Sequence, residues 1–329
     1  MTTTEDRQTQ TLPPGDGGVV TQTFPALSDE AERGAPARAP ASGALPLLAA
    51  AVTVVLWASA FIGIRVSGHD YSPGALALGR LLAGTAALTV MAAVTGRLQV
   101  PRGRPLLLVV VWGVAWFGGY NVTLNAAEQH LDAGTAALLV NTAPILVAVL
   151  AAAFLGEGFP RRLLVGMAVA FAGVATIAIT TSTGLHDGVG VTLGLLSAVL
   201  YAAGVIIQKK TLPHVDALTM TWLGCVAGTI ACLPFAPALV REAAAAPVDA
   251  TLGLVYLGIF PTAIAFSTWG WVLARTSAGR LTASTYLVPP LVVGLSWAML
   301  GEVPGPVTLV GGALSLAGVL VATLRRPAR

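Results

Sequence analysis

Arg80 is the one charged side chain set deep in an apolar run, seven residues in from the start of the stretch Pro73–Thr95. At a helix centre in a bilayer an arginine costs roughly 2.5–3.5 kcal/mol on insertion scales. About 10 Å from the end of a helix rising 1.5 Å per residue, it recovers part of that by reaching toward the interface. A guanidinium held there can grip a substrate carboxylate or an acidic gate residue, and it can equally serve a structural ion pair with Glu128 or Asp132. Asn121, Asn125 and Glu128 follow at spacings of four and three, so they share one helical face. A carboxamide without a partner in hydrocarbon costs several kcal/mol, so this face looks into a polar cavity or onto another helix. Glu128 is also the candidate for a coupling proton site, against the plainer reading of a solvated residue at a helix end.

Other apolar runs each offer one polar or aromatic face. Thr53, Trp57 and Phe61 share one, with Trp57 halfway along its run, although tryptophan ordinarily prefers the membrane interface. Ser197, Tyr201 and Gln208 share a second, Thr262, Phe266 and Trp269 a third, and Thr282, Tyr286 and Pro289 a fourth. Pro144, Pro261 and the pair Pro289-Pro290 interrupt helical runs, where each removes a backbone hydrogen bond and bends the helix. Cavity lining, with Trp57, Arg80, Asn121, Asn125, Asn141, Tyr201, Trp269 and Tyr286 as the candidate residues, competes throughout with ordinary helix packing. The small pairs Gly190/Gly194, Gly166/Ala170 and Ala313/Ala317 point to close helix crossings.

The elements that must hold these side chains follow from composition. The 329 residues are 55% hydrophobic and 10% charged, where a soluble domain carries about a quarter charged residues. Ten runs reach the roughly 17–25 residues a bilayer span needs: Leu45–Val66, Pro73–Thr95, Pro105–Ala126, Ala133–Leu155, Leu163–Thr181, Gly188–Gln208, Ala217–Ala238, Leu252–Leu273, Ala278–Leu300 and Val307–Leu324. They lack period-two alternation, which argues for helices over a barrel. Residues 1–43 are rich in Thr, Pro, Gly and charge and are expected to be a disordered tail.

One stretch is written twice. Gly134–Ile179 lies without a gap on Gly279–Leu324, bringing Pro144 onto Pro289, Asn141 onto Tyr286, and Gly156-Glu157 onto Gly301-Glu302, with about a third of positions identical. A separation of 145 residues exceeds solenoid periods and marks a duplicated half-protein. With the amino terminus in the cytoplasm, the inner loops hold Arg97, Arg102, Arg104, Arg161, Arg162, Lys209, Lys210, Arg275 and Arg280, while the outer loops hold Arg65 and Arg241. Positively charged loops resist translocation. The expected fold is therefore an all-α polytopic membrane protein: ten transmembrane helices as two inverted five-helix repeats, residues 44–181 and 182–324, with both termini cytoplasmic and a basic tail at 325–329. Inverted repeats enclose a midplane site that opens to alternate sides.

This ordered set resembles the drug/metabolite transporter superfamily, specifically its EamA-type permeases. The residues that carry the likeness are Trp57-Ala58-Ser59-Ala60-Phe61, Pro73 with Arg80, Asn125-Ala126, Gly134 through Pro144 to Gly156-Glu157, and its repeat from Gly279 through Pro289 to Gly301-Glu302. The resemblance implies export of small metabolites, amino acids or toxic compounds, driven by an ion gradient, usually of protons, without ATP hydrolysis. It carries only Trp57, Arg80 and Asn125 over as cavity or gate positions. It agrees with the missing P-loop pattern. No apolar run holds a histidine or two buried carboxylates, which argues against an intramembrane enzyme, and no repeated filter sequence argues for a channel. A non-coupled channel or facilitator and a membrane receptor stay the alternatives. Cys225 and Cys232 lie two helical turns apart and are expected to be unbridged, the four histidines do not cluster into a metal site, and no cofactor or nucleic-acid partner is expected, only a small-molecule substrate and membrane lipid.

Overall fold

The computed structural model describes residues 44–97, 99–131, 139–158, 160–181, 188–300 and 305–323. The amino-terminal tail, the carboxy-terminal basic tail, Asp132, Gly134 and Glu302 lie outside these residues. The described residues are helical and contain no strand. The helices are α1 (Ala44–Gly68), α2 (Pro73–Val94), α3 (Arg104–His130), α4 (Ala143–Leu155), α5 (Arg161–Thr181), α6 (Gly188–Thr211), α7 (Ala217–Ala245), α8 (Val248–Leu273), α9 (Ala278–Met299) and α10 (Pro306–Thr323). Among the described residues seven of them, α1, α2, α3, α6, α7, α8 and α9, are long and apolar enough to cross a membrane. Helix α4 has 13 residues and α10 has 18. Helix α3 runs on through Glu128, Gln129 and His130, and α7 through Arg241 to Ala245, beyond the apolar runs that announce them. Hydropathy stops at the first polar residues there, but Ala, Glu and Gln are good helix formers and carry the winding outward.

Local chemistry sets the ends. Pro73 opens α2, where a missing N–H costs nothing, after an extended Ser72. The Asp216 carboxylate accepts from the N–H groups of Leu218 and Thr219, both at 3.2 Å, and caps α7. Gly156 closes α4 at φ 64°, a left-handed position that favours glycine.

Burial is arranged for a lipid surround. Large apolar side chains such as Val94, Phe154, Trp297 and Met299 face outward, while Thr53, Ser197, Gln208, Thr221 and Thr282 are buried. Small residues let the helices close on one another. A Cβ at Gly166 would lie 2.6 Å from the Gly318 carbonyl oxygen, and one at Gly173 would lie 2.5 Å from that of Gly311, so α5 and α10 cross antiparallel, backbone on backbone. The stripe on α10 is Gly311, Ser315 and Gly318. Ala313 and Ala317, expected to mark a close helix crossing, are exposed, because the close-packed face follows the glycines rather than the alanines beside them. Helices α2 and α7 are also antiparallel: Gly74 abuts Phe235, Thr85 bonds Thr229 at 2.9 Å, Trp222 donates to Thr89, and Arg97 reaches Asp216 at 3.5 Å.

Two helices depart from regular winding at matching points. Val114–Tyr120 in α3 and Gly258–Ile264 in α8 are wound as π-helix. Their onsets fall 144 residues apart, almost the spacing of the duplication. Gly113 heads the first, and a Cβ there would sit 2.3 Å from the Gly224 carbonyl oxygen on α7. Gly258 heads the second, and a Cβ there would sit 2.4 Å from the Arg80 carbonyl oxygen on α2. The prolines repeat in the same way. In α9 the turn Ser284–Leu287 tightens to a 3-10 winding before Pro289-Pro290, and α4 begins after a turn at Asn141 and Thr142, with Pro144 in its first turn. Pro290 cannot bond the Tyr286 carbonyl four residues back, and Ser315 of α10 donates to that oxygen at 2.6 Å instead.

Candidate functional site

A narrow cavity of about 90 Å³ lies between α1, α2, α3, the start of α4, α6, α8 and α9. Trp57 and Phe61 of α1, Trp116, Tyr120 and Asn121 of α3, Tyr201 of α6 and Phe266 of α8 form much of its wall. The rings make a connected set: Trp57 stands 4.9 Å from Trp269, 5.2 Å from Phe266 and 6.5 Å from Tyr201, and Trp116 stands 4.9 Å from Tyr201 and 5.8 Å from Phe266. Each such pair adds about 0.5–1.5 kcal/mol beyond area burial, so the wall is a preformed apolar surface.

The polar features converge from the irregular segments. Arg80, 5% exposed, lines the cavity, and its Nη2 donates to Thr262 Oγ1 at 3.1 Å. Its Nε has no hydrogen-bond partner among the described residues. Thr262 sits in the π segment of α8, and its hydroxyl donates at 2.8 Å to the Leu257 carbonyl, the oxygen four residues before Pro261, which has no N–H to offer it. Asn121 does a related job in α3: its amide nitrogen donates to the Phe117 carbonyl at 2.8 Å and the Trp116 carbonyl at 3.4 Å, inside the other π segment. Asn141, Pro144 and Thr285 reach the cavity from the two proline-linked breaks.

Beyond Ile64 the cavity adjoins a wider vestibule of about 540 Å³, lined by His69, Tyr71, Pro73, Asn125, Glu128 and Gln129. Asn125 donates to the Pro73 carbonyl there at 3.1 Å. The vestibule lies at the end where Ser67 bonds the Ala250 carbonyl and Ser72 bonds Glu242. The opposite end is clasped. Glu157 accepts from the N–H groups of Ala278 and Gly279 at 2.7 and 3.2 Å, capping α9 from the α4–α5 turn. Lys209 donates to the Leu273 and Thr276 carbonyls at 2.6 and 2.5 Å. Lys210 lies over Phe154, and Arg275 stacks on Trp271 at 4.0 Å.

Of the candidate residues, Trp57, Arg80, Asn121, Asn141 and Tyr201 line the cavity, and Asn125 and Glu128 line the vestibule. Trp269 and Tyr286 are fully buried without lining either one: Trp269 backs Trp57, and Tyr286 gives its place at the cavity to its neighbour Thr285. Trp116 was not among the candidates, because nothing in its apolar surroundings announces the π winding that turns it inward. Cys225 and Cys232 are both free and buried, and among the described residues no group of three or more His, Cys, Asp or Glu side chains could hold a metal.

The model of the family described as "EamA-like transporter family" matches the chain twice, over residues 44–179 and 188–324. A Streptantibioticus cattleyicolor protein named "probable terminal-alkyne amino-acid exporter" is 41% identical over 276 residues, covering 83% of this chain and 92% of that protein. A Salmonella typhimurium protein named "probable amino-acid metabolite efflux pump" is 30% identical, over 83% of this chain and 92% of its own length. A solved crystal structure superposes with a TM-score of 0.74 at 21% identity, covering 86% of this chain and 98% of the other, a likeness of fold.

Proposed function

Because the chain belongs to the EamA-like transporter family and is a multi-pass protein of the cell membrane, we propose that it is a secondary-active exporter of small metabolites, amino acids or related compounds, working by alternating access and coupled to protons. The family and the named relatives are transporters, not enzymes. The observation that carries the proposal is the central cavity, where one buried guanidinium meets a preformed aromatic wall. Such a site suits a small amphipathic acid, which agrees with the amino-acid exporter and amino-acid metabolite efflux pump named among the relatives.

Ten transmembrane helices in two inverted repeats, residues 44–181 and 182–324, with cytoplasmic termini, remain our reading of the architecture. Two antiparallel crossings support it: α2 with α7, and α5 with α10, each pair holding corresponding places in the two family matches. The clustering of Arg97, Lys209, Lys210 and Arg275 at the clasped end supports a cytoplasmic assignment for that end. On that assignment the cavity stands open outward through its vestibule, the state that releases an exported solute. Cavity and gate roles go to Trp57, Arg80, Asn121, Asn125, Asn141 and Tyr201, with Trp269 and Tyr286 supporting the wall, and Glu128 in the vestibule carries the coupling proton.

The test is flux in proteoliposomes with a panel of amino acids and drugs. Saturation and trans-stimulation by unlabelled substrate are expected. Linear flux without exchange would replace the carrier with a channel. Glu128→Gln should uncouple transport from the proton gradient, and unchanged coupling removes Glu128 from that role.

A further inference from the structure

We propose that Thr262 sets the cavity's preference for a carboxylate: it fixes the Arg80 guanidinium so that its buried Nε–H binds the acid group of a substrate whose uncharged, apolar tail lies on the aromatic wall. The inference rests on the reading of this cavity as the substrate site. Three observations carry it.

Pro261 has no N–H for the Leu257 carbonyl four residues back, and the Thr262 hydroxyl donates to that oxygen at 2.8 Å. With its proton committed, the oxygen of Thr262 is left as an acceptor, and it receives Arg80 Nη2 at 3.1 Å. The contact is set by backbone: Gly84 and Gly258 bring α2 and α8 so close that a Cβ at Gly84 would lie 3.0 Å from the Gly258 carbonyl oxygen and 3.0 Å from Thr262 Cγ2. The Arg80 guanidinium is thus held at Nη2, with Nε, buried and without a partner among the described residues, left for a ligand. A charge-assisted hydrogen bond to such a donor is roughly twice as strong as a neutral one. Among the described residues lining the cavity Arg80 is the only cation, so the site fits one carboxylate and disfavours dicarboxylates and phosphates. Trp57, Trp116, Tyr201 and Phe266 leave an apolar, ring-lined space for the rest of the molecule.

Calorimetric titration of the purified full chain with L-phenylalanine and L-norvaline, each beside its carboxamide, tests this. The wild type should bind the acids at least about tenfold more tightly than the amides. Thr262→Val, which keeps shape and loses the hydroxyl, should shrink that ratio to about threefold or less, and Thr262→Ser should keep it. An undiminished ratio in Thr262→Val, or equal loss in both variants, overturns the positioning role. A wild type that does not bind the acids, or binds both forms alike, overturns the substrate class. Arg80→Gln separates the levels: if it leaves acid binding unchanged, the reading of the cavity falls as well, whereas loss in Arg80→Gln with retention in Thr262→Val removes Thr262 alone. Should Thr262→Val fail to run as a monodisperse species, Pro261→Ala restores an N–H for the Leu257 carbonyl and frees the Thr262 proton. It should weaken the preference, and an unchanged preference overturns the proposal.

Discussion

The π segment of α3 and the π segment of α8 stand at corresponding places in the two family matches, and they differ in what they present. Each is headed by a glycine pressed onto another helix's backbone, Gly113 on Gly224 and Gly258 on Arg80. Each has a side chain that serves the carbonyls its winding loosens, Asn121 in one and Thr262 in the other. From there they part. The α3 segment turns Trp116 and Tyr120 into the cavity and supplies wall, whereas the α8 segment turns Thr262 onto Arg80 and supplies an anchor. Duplication has kept the backbone device and let the side chains divide the work. A widened turn needs only a close glycine and a substitute donor, and it leaves the inward residue open to change.

The largest effect should come from filling the two glycines. Gly258→Ala and Gly113→Ala each push a Cβ against backbone that cannot yield, and each should cost about 1–3 kcal/mol in thermal unfolding and abolish transport. Damage in one variant alone would break the equivalence of the segments. The next effect sharpens their difference. Arg80→Ala should lower export of acidic substrates by about tenfold or more, whereas Trp116→Leu should weaken apolar tails by about three- to tenfold without altering the ranking of acid over amide in competition assays. Smaller again is Glu157→Gln, which weakens the clasp joining the α4–α5 turn to α9. A change of about 1 kcal/mol should raise maleimide labelling of a Ser277→Cys reporter roughly fivefold. Cys225→Ala should move transport rates by less than about twofold: the thiol sits between α2 and α7, taking a bond from Thr85, and lines neither cavity.

Apolar runs of membrane length, the doubled stretch and the buried charge were all legible as residue patterns, since each depends on residue type alone. Arg80 stood out because nothing else so deep in a run is ionised, and the structure gives it a place at the cavity. Asn141 and Tyr286 correspond in the repeat, yet one lines the cavity and the other sits behind it. The 3-10 turn at Ser284–Leu287 winds about 120° per residue instead of the α-helix's roughly 100° and brings Thr285 forward. Pro261 announced an interruption in α8 but not that the Thr262 hydroxyl would bond the Leu257 carbonyl and receive Arg80, which depends on rotation within the widened turn. In α3 no proline gives warning, so Trp116 stayed hidden in an ordinary apolar stretch. The stripe on α10 slipped from Ala313 and Ala317 to Gly311, Ser315 and Gly318 for a similar reason: small residues occupy both faces, and only the partner helix chooses between them.

That glycine seam has a mechanical consequence. Where α5 and α10 touch main chain to main chain, no side chain can bend aside, so sliding one past the other would run peptide groups into each other. Turning about the contact meets far less resistance. The seam is therefore suited to act as a fulcrum for the exchange of open ends proposed above: a bundle tilting about it like a beam would narrow one mouth as it widened the other.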